Sequence, residues 1–66
     1  MTEVVDLESR RNELSLPLLL SVPRAAAMLG ISRSAAYRLA STGELPARRL
    51  GGRVYIVTDE LLALVS

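Results

Sequence analysis

The stretch Leu29-Gly30-Ile31-Ser32 constrains the fold most, because it ends one helix and begins another within three residues. Gly30 is typical of the left-handed residue that terminates a helix, and Ser32 is typical of an N-cap. Before this turn, apolar residues recur at the spacing of one helix face. They are Val22, Ala25, Ala26 and Leu29. The sequence therefore predicts two short helices that cross closely, with Ile31 buried in the turn.

Both predicted helices have recognisable ends. Ser21 is suited to cap the first helix, since Pro23 then falls in the first turn, where its missing N–H costs nothing. The second helix is expected to run from about Arg33 to Ser41, and Gly43 terminates it. Its outward face holds Arg33, Ser34, Tyr37, Arg38 and Ser41. Two helices joined in this way form a helix-turn-helix, although a plain helical hairpin is still open at this point.

Two extended runs around Gly51-Gly52 predict a β-hairpin. A two-residue loop places Arg49 opposite Val54. A three-residue loop places Leu50, Val54 and Ile56 on one face, with Arg49 and Tyr55 on the other. We prefer the three-residue loop because it separates apolar from charged residues. In that register Arg53 lies at the tip and Arg48 faces inward.

The C-terminal segment predicts a third helix, with Thr58 as its capping residue. Its inward face is expected to hold Leu61, Leu62 and Val65. The resulting fold class is mainly α with a small β-hairpin, a winged helix-turn-helix with a two-stranded wing. This domain is expected to span residues 18–66, and residues 1–17 are expected to form a tail or a short helix.

Charge is distributed unevenly along the chain, although its net value is only +1. Residues 21–57 carry six arginines and a single acidic residue, Glu44, for a net charge of +5. The segments before and after it each have a net charge of −2. A basic segment flanked by acidic ends is typical of a protein that binds a polyanion.

Several classes of protein are disfavoured by composition. The 66 residues include no Cys and no His, which excludes disulfides and the usual zinc sites. No carboxylate pair lies in a plausible pocket, so we expect no enzymatic activity, no cofactor, no metal and no small-molecule substrate. The longest apolar run, residues 16–20, contains Pro17 and is too short to span a membrane. We therefore expect no membrane association and a cytoplasmic location in a bacterial host, associated with the nucleoid.

From Leu20 to Val65 the chain resembles the excisionase-type, MerR-like winged-helix family. The sequence departs from the family pattern at Arg24, where family members often have Glu, and at Val54, where they often have an aromatic residue. The combination of the turn, the Gly-Glu-Leu-Pro link and the Gly-Arg wing makes the resemblance fairly specific. The matching segments are Leu20-Ser21-Val22-Pro23, Ala26-Ala27-Met28-Leu29-Gly30-Ile31-Ser32-Arg33-Ser34, Tyr37-Arg38-Leu39, Gly43-Glu44-Leu45-Pro46-Ala47-Arg48-Arg49-Leu50-Gly51, Arg53 and Thr58-Asp59-Glu60-Leu61.

The resemblance implies a phage excisionase, also called a recombination directionality factor. Such proteins are not catalysts. They bind double-stranded DNA beside a prophage attachment site, bend it, and bias a partner integrase toward excision. Copies commonly bind adjacent sites head to tail.

Several residues are the candidates for DNA contact. We expect Arg33 and Arg38 to reach base edges or nearby phosphates in the major groove. Ser32, Ser34 and Arg24 are expected at phosphates. Tyr37 either reaches the DNA or packs under the wing. Arg49 and Arg53 are expected to place the wing in an adjacent minor groove.

Two other functions compete with excision. A MerR-like transcription regulator usually adds a dimerisation helix or an effector domain, and a chain that ends at Ser66 leaves no room for either. A protein-interaction adaptor or antitoxin-like module would use the Leu-rich C-terminal helix. The basic central segment argues against that adaptor.

Overall fold

A computed structural model of the protein describes residues 9–66. The elements, in chain order, are a helical segment at residues 9–13 (α1), β1 (Leu19–Ser21), α2 (Val22–Leu29), α3 (Arg33–Thr42), β2 (Ala47–Leu50), β3 (Arg53–Val57) and α4 (Thr58–Leu64). The strands form an antiparallel sheet in the order β1-β3-β2. The architecture is a winged helix-turn-helix, mainly helical, and confirms the predicted fold class.

The turn between α2 and α3 is built as the sequence predicted. Gly30 adopts a φ of 77°, and the N–H of Ile31 donates to the carbonyl of Ala26 at 3.0 Å. This is the bond pattern that closes a helix at a left-handed glycine. On the other side, Ser32 Oγ accepts from the N–H of Ala35 at 3.1 Å and caps α3. These local bonds hold the two helices at a fixed separation along the chain.

The core lies between α2, α3, the inner face of the sheet and α4. Small side chains let the helices approach closely, with Ala25 and Ala36 fully buried. The remaining members of the core cluster are larger and come from every layer: Leu20, Val22, Leu45, Ile56 and Leu61, together with Ala26. This packing orients α3 so that its polar face points away from the protein.

The sheet has three strands rather than the predicted two. Leu19, Leu20 and Ser21 pair with Val57, Ile56 and Tyr55 respectively. The prediction missed β1 because a three-residue strand shows no alternation that separates it from the start of the core. Its presence makes β3 the central strand and fastens the wing to the segment that leads into α2.

The preferred wing register was wrong. Arg49 lies opposite Val54 and Leu50 opposite Arg53, so the loop contains only Gly51 and Gly52. Both glycines have positive φ, 61° and 82°, as a type I′ turn requires. Turn geometry therefore outweighs the separation of apolar from charged side chains. As a result Arg53 lies in the strand instead of at the tip.

Two details of α4 also differ from the prediction. Thr58 is the first helical residue and not the cap; the cap position is Val57, which makes no side-chain bond. Thr58 is fully buried, and its hydroxyl donates to the carbonyl of Pro17 at 2.6 Å. Leu61 and Leu62 are buried as expected, whereas Val65 is 58% exposed because the helix ends at Leu64.

α1 is held against α4 by polar contacts. Arg11 Nε lies 2.8 Å from Asp59 Oδ1, and Arg10 Nη1 donates to Ser66 Oγ at 2.8 Å. Residues 9–13 are helical, which fits the short-helix alternative for that part of the N-terminal segment. The rest of that prediction, at residues 1–8, lies outside the described residues.

Candidate nucleic-acid interface

The outward face of α3 is polar, exposed and basic. It contains the five residues that the helical spacing assigned to it: Arg33, Ser34, Tyr37, Arg38 and Ser41, all of them exposed. The opposite side of the helix is anchored by buried Ala36 and by partly buried Leu39 and Ala40. Because the inner face is fixed in the core, these side chains project from a rigid scaffold.

The N-terminus of α3 adds backbone donors to this face. Ser32 satisfies two N–H groups, that of Ala35 through its hydroxyl and that of Ala36 through its carbonyl, at 3.1 and 3.0 Å. The N–H groups of Arg33 and Ser34 precede the first intrahelical bond and have no helical acceptor. An anion at this end of the helix would meet both donors and the positive end of the helix dipole.

The wing presents arginines on both sides of its tip. Arg49 and Arg53 are both exposed, and they flank the two-glycine turn on opposite strands. Side chains alternate along a strand. Arg49 therefore shares the sheet face of Val54, which turns toward the helices, while Arg53 shares the outer face with Tyr55.

Tyr37 is the residue of α3 that lies beside the wing. It lines a cleft of about 380 Å³ with Arg53 and Tyr55, and another of about 300 Å³ with Arg48 and Arg49. Its side chain is nevertheless 51% exposed. The ring of Tyr37 can therefore lie beside the wing and still expose part of its surface to a ligand.

The remaining candidate, Arg24, is exposed in the first turn of α2. Its backbone N–H donates to Ser21 Oγ at 3.2 Å. Within residues 9–66 no hydrogen bond or ion pair joins it to α3 or to the wing. The structure therefore places Tyr37 beside Arg53 in one cleft and beside Arg49 in another, and leaves Arg24 on a separate helix.

The basic residues differ in whether a carboxylate neutralises them. Two arginines form ion pairs within residues 9–66: Arg11 with Asp59, and Arg48 with Glu60 at 3.5 Å. The five candidate arginines form none within that range, and they are Arg24, Arg33, Arg38, Arg49 and Arg53. Their charges remain available for an external anion, which distinguishes them from the two structural arginines.

A larger cleft of about 560 Å³ lies between the segment around Leu45 and α4. Its lining includes the carboxylates of Glu44 and Glu60, whose charge disfavours an anionic ligand. In the part of the chain that the structure describes, no three carboxylates come together as a metal site, and no helix is long and apolar enough to cross a membrane.

Sequence reasoning missed Tyr55 and Ser21 as lining residues of the 380 Å³ cleft that contains Arg53. The spacing of Arg53 and Tyr55, two residues apart in a strand, was the available signal for a shared face. That signal was lost because the chosen register put Arg53 at the tip. Ser21 joins the cleft only through its pairing with Tyr55 across β1 and β3.

Comparison with known protein families identifies the type of domain. The family described as "Helix-turn-helix domain" matches residues 19–66. Uncharacterized proteins of Mycobacterium bovis and Mycobacterium tuberculosis are 46% identical over 44 residues, which is 67% of this chain. The matched segment spans only 39% of the length of those relatives. No solved structure matches the chain.

Proposed function

The chain belongs to the helix-turn-helix domain family, a class of DNA-binding modules that are typically non-enzymatic. From this premise we propose that it binds duplex DNA in the following way. Helix α3 enters the major groove of duplex DNA, and the wing reaches an adjacent minor groove. The protein acts as a DNA-bending accessory factor that directs an integrase toward prophage excision. The observation that carries this proposal is the set of arginines on α3 and the wing without a carboxylate partner in residues 9–66.

Contacts in the major groove come from the exposed face of α3. Arg33 and Arg38 reach base edges or the phosphates next to them, since a guanidinium pairs with guanine through two hydrogen bonds. Ser32 and Ser34, near the free N–H groups of the first turn, position the backbone. Tyr37 contacts a phosphate or a thymine methyl with the exposed part of its ring. Arg24, from α2, contacts a neighbouring phosphate.

Contacts outside the major groove come from the wing. The tip consists of Gly51 and Gly52, and ideal Cβ atoms at either would meet nothing within 4 Å. A tip without side chains is slim enough for a minor groove, where A·T-rich sequence narrows the groove and attracts arginine. Arg49 and Arg53 supply the positive charge beside it.

Excision is proposed from the resemblance to excisionase-type domains together with the small binding surface. One helix-turn-helix domain of this size contacts few base pairs, so selectivity needs several copies side by side or contact with an integrase. A head-to-tail series of copies on adjacent sites provides both selectivity and a cumulative bend. The integrase is then recruited to DNA that already has the required shape.

Selection of bound sequences from a random duplex pool, followed by footprinting of the selected site, tests the proposal. We expect tandem direct repeats at about one helical turn, protected cooperatively. The same pool is also selected with two variants of the protein. The double variant Arg33→Gln/Arg38→Gln should enrich no sequence, whereas the control variant Arg10→Gln should enrich the same repeats. An inverted repeat, or one site without cooperative extension, contradicts the excisionase proposal and favours a regulator.

A MerR-like transcription regulator is the second candidate. The observation in its favour is that the matched relatives are more than twice as long as the shared segment, so this type of domain also occurs within longer chains.

The adaptor or antitoxin-like alternative is tested by heparin retention. If DNA binding uses the five candidate arginines, affinity should fall roughly 500-fold between 50 and 200 mM salt, whereas an adaptor elutes early.

A further inference from the structure

We propose that the cleft between the start of α2 and the wing binds one backbone phosphate of the DNA duplex, with Arg53, Tyr55 and Tyr37 as its ligands. This inference rests on the proposed function and assigns a role to Tyr55 that the groove contacts do not need. The cleft has a volume of about 380 Å³. Its lining residues are Ser21, Val22, Pro23, Tyr37, Arg53, Val54 and Tyr55.

The polar groups of this cleft suit a phosphodiester. A guanidinium donates two parallel hydrogen bonds to phosphate oxygens, and each phenol donates one more. Within residues 9–66 no hydrogen bond occupies the phenol of Tyr37, the phenol of Tyr55 or the guanidinium of Arg53. The hydroxyl oxygen of Ser21 already accepts from the N–H of Arg24, at 3.2 Å, but its proton is free to be donated.

Charge and free hydrogen-bond donors together favour this cleft over the two others described above. No carboxylate lines it, and Arg53 forms no ion pair within residues 9–66. The cleft on the other side of Tyr37 also contains an arginine without an ion pair in residues 9–66, Arg49. Its other arginine is paired with Glu60 at 3.5 Å, its one phenol is that of Tyr37, and its serine hydroxyl already donates to a backbone carbonyl. The cleft of about 560 Å³ contains two carboxylates, those of Glu44 and Glu60. The cleft that Arg53 and the two tyrosines line therefore offers an anion more free donors than the other two, and no carboxylate.

The register of the wing places this site on the path of the DNA backbone. Because the loop holds only two residues, Arg53 lies opposite Leu50 and two positions from Tyr55, on the same sheet face. Tyr37 belongs to α3, which occupies the major groove in the proposed complex, and Arg53 belongs to the wing. In that complex, the DNA strand that separates the major groove filled by α3 from the minor groove beside the wing passes between Tyr37 and Arg53. One phosphate held there fixes the register of both elements on the duplex.

The test combines side-chain variants with neutral phosphates, using the whole chain and the duplex obtained by selection. Each phosphate of the footprint is replaced in turn by an uncharged methylphosphonate. The protein variants are Arg53→Gln and Tyr55→Phe, with Arg10→Gln as the matched control. Arg10 lies on α1 and donates to Ser66, so its substitution removes the same charge outside the cleft. Tyr55→Phe removes only the hydroxyl and retains the ring, and thermal melting verifies that each variant is folded.

We expect one methylphosphonate position to weaken binding of the unmodified protein about tenfold, as loss of charge-assisted hydrogen bonds requires. On natural duplex, Arg53→Gln should lower the salt slope by about one, and Tyr55→Phe should weaken binding about three- to tenfold. On the duplex with that one neutral phosphate, both variants should bind as well as the unmodified protein. Arg10→Gln should leave the salt slope and the methylphosphonate profile unchanged.

The outcomes separate the two proposals. If the unmodified protein binds the duplex and Arg33→Gln/Arg38→Gln abolishes binding, but Arg53→Gln and Tyr55→Phe behave like Arg10→Gln on every duplex, the phosphate site is wrong and the proposed function stands. If the variants weaken binding equally at all methylphosphonate positions, the cleft does not hold one particular phosphate, and the inference is likewise overturned. If the unmodified protein binds no duplex, the proposed function itself fails.

Discussion

The hydroxyl of Thr58 donates a hydrogen bond of 2.6 Å to the carbonyl oxygen of Pro17, across 41 residues of chain. The N–H of the same threonine donates to the carbonyl of Leu18 at 3.0 Å. Both bonds join the start of α4 to the residues just before β1, the strand that leads into α2. A residue predicted as a helix cap thus connects the last helix to the segment before the helix-turn-helix.

Thr58→Val should destabilise the protein by about 1–3 kcal/mol, because it keeps the side-chain shape but leaves the carbonyl of Pro17 without its partner. The free energy of unfolding in urea measures this. Thr42→Val is the control, since the Thr42 hydroxyl bonds to exposed groups in and beside its own helix. That change should stay within about 0.5 kcal/mol. Equal losses at both positions would show that the bond to Pro17 has no special weight.

The geometry of the wing turn predicts that two substitutions at Gly51 differ in how much stability they cost. Gly51 has a φ of 61° and open space around it, so Gly51→Ala suffers only the strain of a left-handed residue, roughly 1–2 kcal/mol. Gly51→Asn should cost much less, since Asn-Gly is the preferred pair for a type I′ turn. Melting temperatures of the two variants measure the difference. If alanine and asparagine have the same effect, the loop does not adopt this turn in solution.

Ser32 and Ser34 should separate helix capping from DNA contact. Ser32→Ala removes the acceptor for the N–H of Ala35 and should reduce stability by about 0.5–2 kcal/mol. Ser34→Ala should change stability by less than about 0.5 kcal/mol, because Ser34 is exposed and makes no cap. Its effect should appear instead as weaker DNA binding in fluorescence anisotropy. A stability loss at Ser34 as large as that at Ser32 contradicts the assignment of the cap.

Arg38→Ala should weaken binding to the selected duplex by about 1–3 kcal/mol and relax discrimination at one base pair, as expected for a guanidinium that reads a base edge. Competition with duplexes altered one base pair at a time measures both effects. Arg10→Ala is the control, because it removes the same charge from an exposed helix that carries no proposed DNA contact. A uniform loss across all duplexes would place Arg38 at a phosphate instead.

Much of the helix-turn-helix was predictable because its determinants are local. Gly30 and Ser32 act within one or two turns of their own position, and each has a conformational preference independent of the rest of the chain. The outward face of α3 follows from helical periodicity alone. The basic character of Arg33 and Arg38 is likewise visible in the sequence, and only their role in binding awaits experiment.

Sheet pairing could not be decided in the same way. The position of Arg53 depended on whether the loop held two or three residues, and both registers were compatible with the residue pattern. A shift of one residue moves every side chain of a strand to the other face. The structure resolved this because two glycines at positive φ form a type I′ turn, whose twist matches that of the flanking strands.

By itself, then, the sequence determined the two helices of the helix-turn-helix, the turn between them and the charged face of α3, since each depends on neighbours a few residues away. Only the tertiary structure decided that Leu19–Ser21 joins the sheet, that Thr58 bonds to Pro17, and that Tyr37, Arg53 and Tyr55 line one cleft. These relationships join residues 16 to 41 positions apart, or depend on strand register. They are set by how the layers pack around one core, which no local preference encodes.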